Sequence, residues 1–554
     1  MAFKRFQKAT TKRVSREPEG QELEGQELES RGPEGPSPAA IIAEQKITAI
    51  AVFLGAVASI GGFMFGYVSG QISGFFDMED YGRRFGEHNA ATGNYDFSAA
   101  RQGAIVGLLP AGCLFGSLIA GNIADSLGRR MAISVSALFC CVGNIIEISA
   151  HSSWPQFAVG RLVTGLGIGS LSVAVPMYQS ESSPAILRGL LISTYQLFIT
   201  LGIWTAEMIN YGTHTMTTSS SWRIPNGLSF LWSLILGAGI LVLPESPRHA
   251  YRQGREDEAR RTIARLAGLD ANAASVNRQM EDIRAKLEEE RAGAATNWYE
   301  IFTGPRMLYR TLLGITLMAG QQLTGANFFF YYGTTIFRAT GLSDSYVTQI
   351  ILGSVNVFCT FGGLYVVKKC GRRNALMAGA AWMMVCFLVY SFVGHFMLDQ
   401  TNPANTPAAG NVLIVFSCLF IVAFATTWGP LIWAVVAELY PAKYRAPAMA
   451  IATASNWLFN FLMSFFTRFI TDAIDYLYGL VFAGCCAVLV LVVFFFMIES
   501  KDRSLEEIDT MYLMHVNPIS SSKWDEKNLS DSSDRSAQQS QQNVDHGGEQ
   551  VERS

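Results

Sequence analysis

Two glutamines and an asparagine, Gln321, Gln322 and Asn327, lie in a stretch from Thr311 to Phe337 that carries no charge. Each amide offers an acceptor oxygen and two N–H donors, and burying one without partners costs about 1–3 kcal/mol. Their chemistry is hydrogen bonding to something that donates and accepts in an apolar setting. A second set of polar residues is charged and recurs. Gly128-Arg129-Arg130 is followed by Glu181, by Arg188 seven positions on and by Glu245-Ser246; later come Gly371-Arg372-Arg373, Glu438 with Arg445, and Glu499-Ser500. Guanidinium and carboxylate groups in such an order can form charge-assisted hydrogen bonds that open and close.

Other chemistries find no support. No histidine lies in the middle of an apolar run, no His-Glu-x-x-His occurs, and no Ser/His/Asp set shares one depth, so an enzyme is not expected. The nine cysteines lack metal-ligand spacing and read as apolar packing residues, all but Cys370 within apolar runs; neither metal nor cofactor is implied. The glycines of Gly165 to Ser170, "GLGIGS", follow no strand and read as a small-residue face for close helix contact. Nothing suggests a nucleic-acid partner.

The elements that position these groups follow from composition. Half of the residues are hydrophobic and only 16% are charged, so lipid is the solvent for most of the chain. Runs long enough to span a bilayer begin near Ile47, Gln102, Met131, Gln156, Gly189 and Ile224, and again near Thr311, Tyr346, Asn374, Asn411, Ala446 and Tyr476. The expected fold is an all-α integral membrane protein of twelve transmembrane helices in two pseudo-symmetric six-helix halves. Residues 47–244 and 311–498 form the halves, and 245–310 is a polar helical insert in the cytosol. Residues 1–46 and 499–554 read as cytoplasmic tails, the first disordered and the second largely so and featureless. Basic residues at every second loop put both termini and the insert on the cytoplasmic side; in the first outer loop Arg83 and Arg84 run against that rule, but Asp77, Glu79, Asp80 and Glu87 surround them.

The ordered repetition of charges is the footprint of a transporter whose halves rock about a site at mid-membrane. With "GRLVTGLGIGSLSVAVPMYQSESSPAILRG", "LPESPRHAYRQGREDEA" and the amide-rich stretch, it resembles the sugar porter family of the major facilitator superfamily, over all twelve spans. The tails and first outer loop are most similar to fungal hexose transporters. That resemblance implies a monosaccharide as substrate, D-glucose or a related hexose, carried across the plasma membrane by alternating access. It assigns Gln196, Gln321, Gln322, Asn327, Asn356 and Asn460 to sugar hydroxyls, with Trp433 and Phe424 as apolar walls. It makes Arg129, Arg130, Glu181, Arg188, Glu245, Arg372, Arg373, Glu438, Arg445 and Glu499 the inner gate, whose charges are expected to face one another across the rim.

Depth agrees with the site. At about 1.5 Å per residue, Gln321, Asn356 and Asn456 all lie about 15 Å in, at mid-bilayer. On an unbroken helix Gln321 and Asn327 point about 120° apart, so a break at Gly325 is expected to turn Asn327 inward. The bland alternative for each amide is glue between helices.

Two positions depart from the family's pattern. Lys368 stands where an acid usually precedes Gly-Arg-Arg, which puts the second half's gate in doubt. In proton-coupled members the first span carries an acid paired with an arginine of the fourth; here "FGYVSG" has Val68, while Arg161 remains at about 9 Å of depth. Valine takes no proton, and Glu147 and Glu207 sit near outer span ends where snorkelling to water is expected. Facilitated diffusion is therefore the expectation. Proton symport through a displaced acid, or a sugar sensor that no longer transports, are the alternatives.

Overall fold

The structure is a computed structural model that describes residues 46–88, 95–293, 299–338, 344–399, 402, 405–501 and 503–524. The first half holds α1 (Ala49–Phe75), a short α2 (Glu79–Phe85), α3 (Ala99–Leu127), α4 (Arg129–Ser149), α5 (Trp154–Ser182), α6 (Ala185–Thr213) and α7 (Ser220–Val242). Three insert helices follow, α8 (Pro247–Arg252), α9 (Glu256–Ala267) and α10 (Ala274–Gly293), and then the short α11 (Glu300–Thr303). The second half comprises α12 (Met307–Leu323), α13 (Ala326–Arg338), α14 (Ser345–Lys369), α15 (Arg372–Phe396), α16 (Pro407–Thr426), α17 (Trp428–Leu439), α18 (Ala442–Ile474) and α19 (Tyr478–Phe496). Counting α12–α13 and α16–α17 as two broken spans gives twelve, with α2 lying outside them. A hairpin of two short strands, Glu87–His88 against Tyr95–Asp96, lies beyond α2.

Among the described residues, nine stretches qualify as spans by length and hydropathy alone, and Lys443–Phe496 holds two of the helices. The seventh span is divided between α12, of 17 residues, and α13, of 13, so neither piece alone is long enough to cross.

The two breaks have local causes. α12 ends at Leu323, and Gly325 adopts φ +88°, a left-handed conformation that only glycine takes without strain, before α13 begins. A side chain there would strike Phe482 and Phe387. Between α16 and α17, Thr427 stands at φ −127° and ψ −82°, three residues before Pro430, which has no N–H for a continuing helix.

"GLGIGS" packs as expected of a small-residue face: a Cβ on Gly165 or Gly169 would collide with the backbone of α3 at Leu109 or Cys113. Among the described residues every cysteine is free.

The tail was expected to be featureless, yet its described part is built. Ser504 and Glu507 form a capping box that starts α20 (Leu505–Leu513), and Arg310, buried at 1% exposure, binds Asp509 at 2.6 Å. The pattern of that helix is too short to stand out from its polar flanks in sequence.

Candidate functional site

Where α12 breaks, four amides join in one chain of hydrogen bonds. Gln321 donates from Nε2 to the carbonyls of Trp428 (2.9 Å) and Gly429 (3.2 Å), tying the break of the seventh span to that of the tenth. Its Oε1 accepts from Asn456 Nδ2 at 2.8 Å. Gln322 donates to Asn456 Oδ1 at 3.0 Å and accepts from Asn327 Nδ2 at 2.6 Å. The break at Gly325 is what lets Asn327 reach back to Gln322. Gln321 and Asn456 are buried, whereas Gln322 and Asn327 are half-buried. Asn456 is central to the network although only its depth singled it out in sequence.

Asn460, one turn along α18 from Asn456, accepts from Tyr331 (3.3 Å) and from Ser464 (3.2 Å). Asn356 is buried and Gln196 half-buried on α6 of the opposite half; no hydrogen bond among the described residues links either side chain to the chain of amides. Phe424 and Trp433 are half-buried beside the break of the tenth span and pack against the apolar core of the second half. Trp457, at 3% exposure, meets Phe65 of the first half edge-on at 5.3 Å between centroids.

The gate charges lie at the end of the bundle that bears the insert, in two clusters of matching design. Arg129 grips Glu181 through Nε (2.9 Å) and Nη2 (3.0 Å), and Ser246 donates to the same carboxylate. Glu245 accepts from the backbone N–H of Arg129 at 3.0 Å, capping the start of α4 with a charge complementary to the helix N-terminus. In the second half Glu499 accepts from the N–H of Arg372 at 2.7 Å, Ser500 donates to Glu438 at 2.6 Å, and Arg372 reaches Glu438 at 3.3 Å. The side chain of the second arginine in each pair binds carbonyls, Arg130 those of Leu241 and Leu243 and Arg373 that of Phe494, while its backbone N–H donates to Glu245 or Glu499. Arg445 donates to the Tyr440 carbonyl. The side chains of Arg188 and Lys368 lie outside the described residues. Among the described residues, the pairs Arg129–Glu181 and Arg372–Glu438 each lie within one half, where contacts across the rim were expected. His249, in α8, accepts from Arg129 at 3.2 Å; burial holds this imidazole below its ordinary pKa despite the pull of Glu245, and a neutral ring suits that role.

At the other end the halves are joined directly. Tyr346 donates to the Gly74 carbonyl (2.6 Å), Trp204 to Ser354 (2.9 Å), and Thr334 to the Ser73 carbonyl. In the loop there, Asp80 takes Arg83 and Arg84 at 2.6 Å each and also accepts from Trp222. Burial would raise its carboxyl, but the hydrogen bonds from Arg84, Arg83 and Trp222 outweigh burial and hold it below its usual value. The two arginines that ran against the topology rule are neutralised in place.

Val68 and Arg161 are adjacent, Arg161 Nη1 lying 3.5 Å from the Val68 carbonyl. The expectation that Glu147 and Glu207 snorkel to water is wrong: they are 0% and 3% exposed. Counting residues gave their height near a span end but not the direction in which they point, and both point into protein.

A repeated six-helix half with the same charge cluster at one end of each copy is the architecture of the major facilitator transporters. Solved structures share it: the xylose transporter XylE from E. coli, in a partially occluded inward-open conformation, matches with a TM-score of 0.68 at 21% identity, over 82% of this chain and 100% of that one. The chain belongs to the sugar (and other) transporter family, whose model matches residues 54–512. A high-affinity fructose transporter of Schizosaccharomyces pombe is 44% identical over 83% of this chain and 86% of its own length. A low-affinity glucose transporter of Saccharomyces cerevisiae is 43% identical over 84% of this chain and 83% of its own. The protein is a membrane transporter and not an enzyme.

Proposed function

We propose that the chain carries D-glucose or a closely related hexose across the plasma membrane by alternating access, with both termini and the insert in the cytoplasm. The observation that carries this reading is the amide chain of Gln321, Gln322, Asn327 and Asn456 at the two broken spans. A pyranose hydroxyl both donates and accepts, so it can replace one amide-to-amide bond with two amide-to-sugar bonds and leave no group unpaired. Phe424 and Trp433 offer flat apolar surface to the ring. Contacts between the halves at the far end, with Arg129–Glu181 and Arg372–Glu438 each paired inside one half, fit a state open toward the cytoplasm. The relatives named for glucose and fructose support a hexose over other polyols. Val68 cannot take a proton, so the first span supplies no coupling acid beside Arg161.

Uptake of radiolabelled D-glucose and D-fructose in cells stripped of their own sugar carriers tests the reading. Saturable uptake of at least one of them, abolished when the chain is absent, is the expected outcome. A well-expressed chain at the cell surface that moves neither hexose would defeat it.

A further inference from the structure

Behind Arg161 the first half contains a pocket of buried polar atoms that hexose transport does not use. Glu147 of α4 is fully buried; its Oε1 accepts from Thr164 of α5 at 2.8 Å, and its Oε2 stands near the Asn226 amide without a bond of normal length. Arg161 is equally buried, with Nε and Nη2 unpartnered. Around them Asn144 has neither amide atom satisfied, and Asn226 of α7, which takes Gln71 of α1 at 3.2 Å, has no bond of normal length at Nδ2. Orphaned buried groups at this density are costly, and proteins keep them for function or fill them with water. Such a cluster suits a group that changes charge.

We propose that Glu147 is the proton-binding carboxylate of a sugar–proton symporter, displaced from the first span, where Val68 stands, to the third. This rests on the hexose-transport reading. The charged and titratable groups near Glu147 are few: Arg161 from α5, Tyr81 from α2, and Cys140 on its own helix, while Thr164 and Asn226 are neutral. On the far side of Arg161 stands Tyr331 of α13, from the opposite half, which donates to the candidate sugar ligand Asn460 at 3.3 Å. A line therefore runs from Glu147 through Arg161 to Tyr331 and Asn460.

The line couples proton to sugar as follows. When the far end opens, Tyr331 withdraws with its half and outer water reaches Arg161 and Glu147. A proton from that water bonds to a Glu147 carboxylate oxygen and neutralises it. Arg161 is then released toward Val68 and the seam, where Tyr331 can dock as sugar binds and the far end closes. Once the site faces the cytoplasm, the O–H bond of Glu147 breaks, the proton leaves to inner water, and the carboxylate draws Arg161 back. Each cycle moves one proton with one sugar.

The test uses full-length protein reconstituted in liposomes with the membrane potential clamped. An outward-acid step of one pH unit, at equal sugar inside and out, should drive accumulation of radiolabelled D-glucose up to about tenfold, the ceiling for one proton per sugar. Glu147→Gln should hold accumulation at unity while glucose counterflow continues, and Glu207→Gln should accumulate like wild type. Glucose counterflow in wild type without accumulation would overturn the proton site and leave hexose transport standing. Accumulation retained by Glu147→Gln, or lost only in Glu207→Gln, would overturn it too. Absence of counterflow in wild type would overturn both readings. Should Glu147→Gln fail to fold, the wild-type accumulation arm decides.

Discussion

The two halves of the molecule repeat one gate and diverge in what they bury. Eighteen positions after the first arginine of its Gly-Arg-Arg, the first half has Glu147 and the second has Tyr390; fifteen positions after it they have Asn144 and Phe387. Around Glu147 and Asn144 lie Arg161, Asn226 and Gln71. Around Tyr390 and Phe387 lie aromatic rings: Phe387 meets Phe420 at 4.7 Å, Phe482 at 5.0 Å and Phe329 at 5.6 Å. The sugar amides show the reverse bias, since every candidate but Gln196 belongs to the second half. Duplication thus left a shared hinge of charge at one end, while the interiors specialised. The second half packs aromatic rings where the first keeps buried polar groups.

Exchanging the two interiors should have the largest effect. Tyr390→Glu would place a carboxylate among Phe329, Phe387 and Tyr476 with no guanidinium nearby, at a cost of about 3–5 kcal/mol. Little monodisperse protein should survive in size-exclusion chromatography. A well-folded Tyr390→Glu protein would mean that the second half tolerates charge as the first does, and the contrast would dissolve.

A smaller effect separates the gates. Arg129 holds Glu181 by two bonds with both side chains under 10% exposed, while Arg372 meets Glu438 by one longer bond at 18% and 24% exposure. Losing a bidentate buried pair costs about 1.5–3 kcal/mol, and an exposed single contact under about 1 kcal/mol. Arg129→Ala should therefore slow glucose counterflow about tenfold, and Arg372→Ala by about threefold or less. Equal slowing would show that the second gate is as firmly latched as the first.

Much of this was legible in sequence because the bilayer fixes length: about twenty apolar residues make a span, and a charged pair recurring in order marks a repeat. The break at Gly325 was readable from the need to bring Asn327 to the side of Gln321. Rise per residue gives height, and height alone placed Gln321 and Asn456 together. It gives no azimuth, so the inward turn of Glu147 and Glu207 could not be read from it. Nor could the partners of Arg130 and Arg373, since a carbonyl acceptor is present at every residue and leaves no mark in composition.

Equilibrium binding of D-glucose to purified protein by titration calorimetry separates the work of the halves most directly. Gln321→Ala should weaken the Kd about tenfold, about 1.4 kcal/mol, because a sugar hydroxyl loses its amide. Glu147→Gln, whose amide mimics the protonated acid, should bind within about twofold of wild type. Binding lost in Glu147→Gln and kept in Gln321→Ala would place the sugar in the first half and contradict the division drawn here.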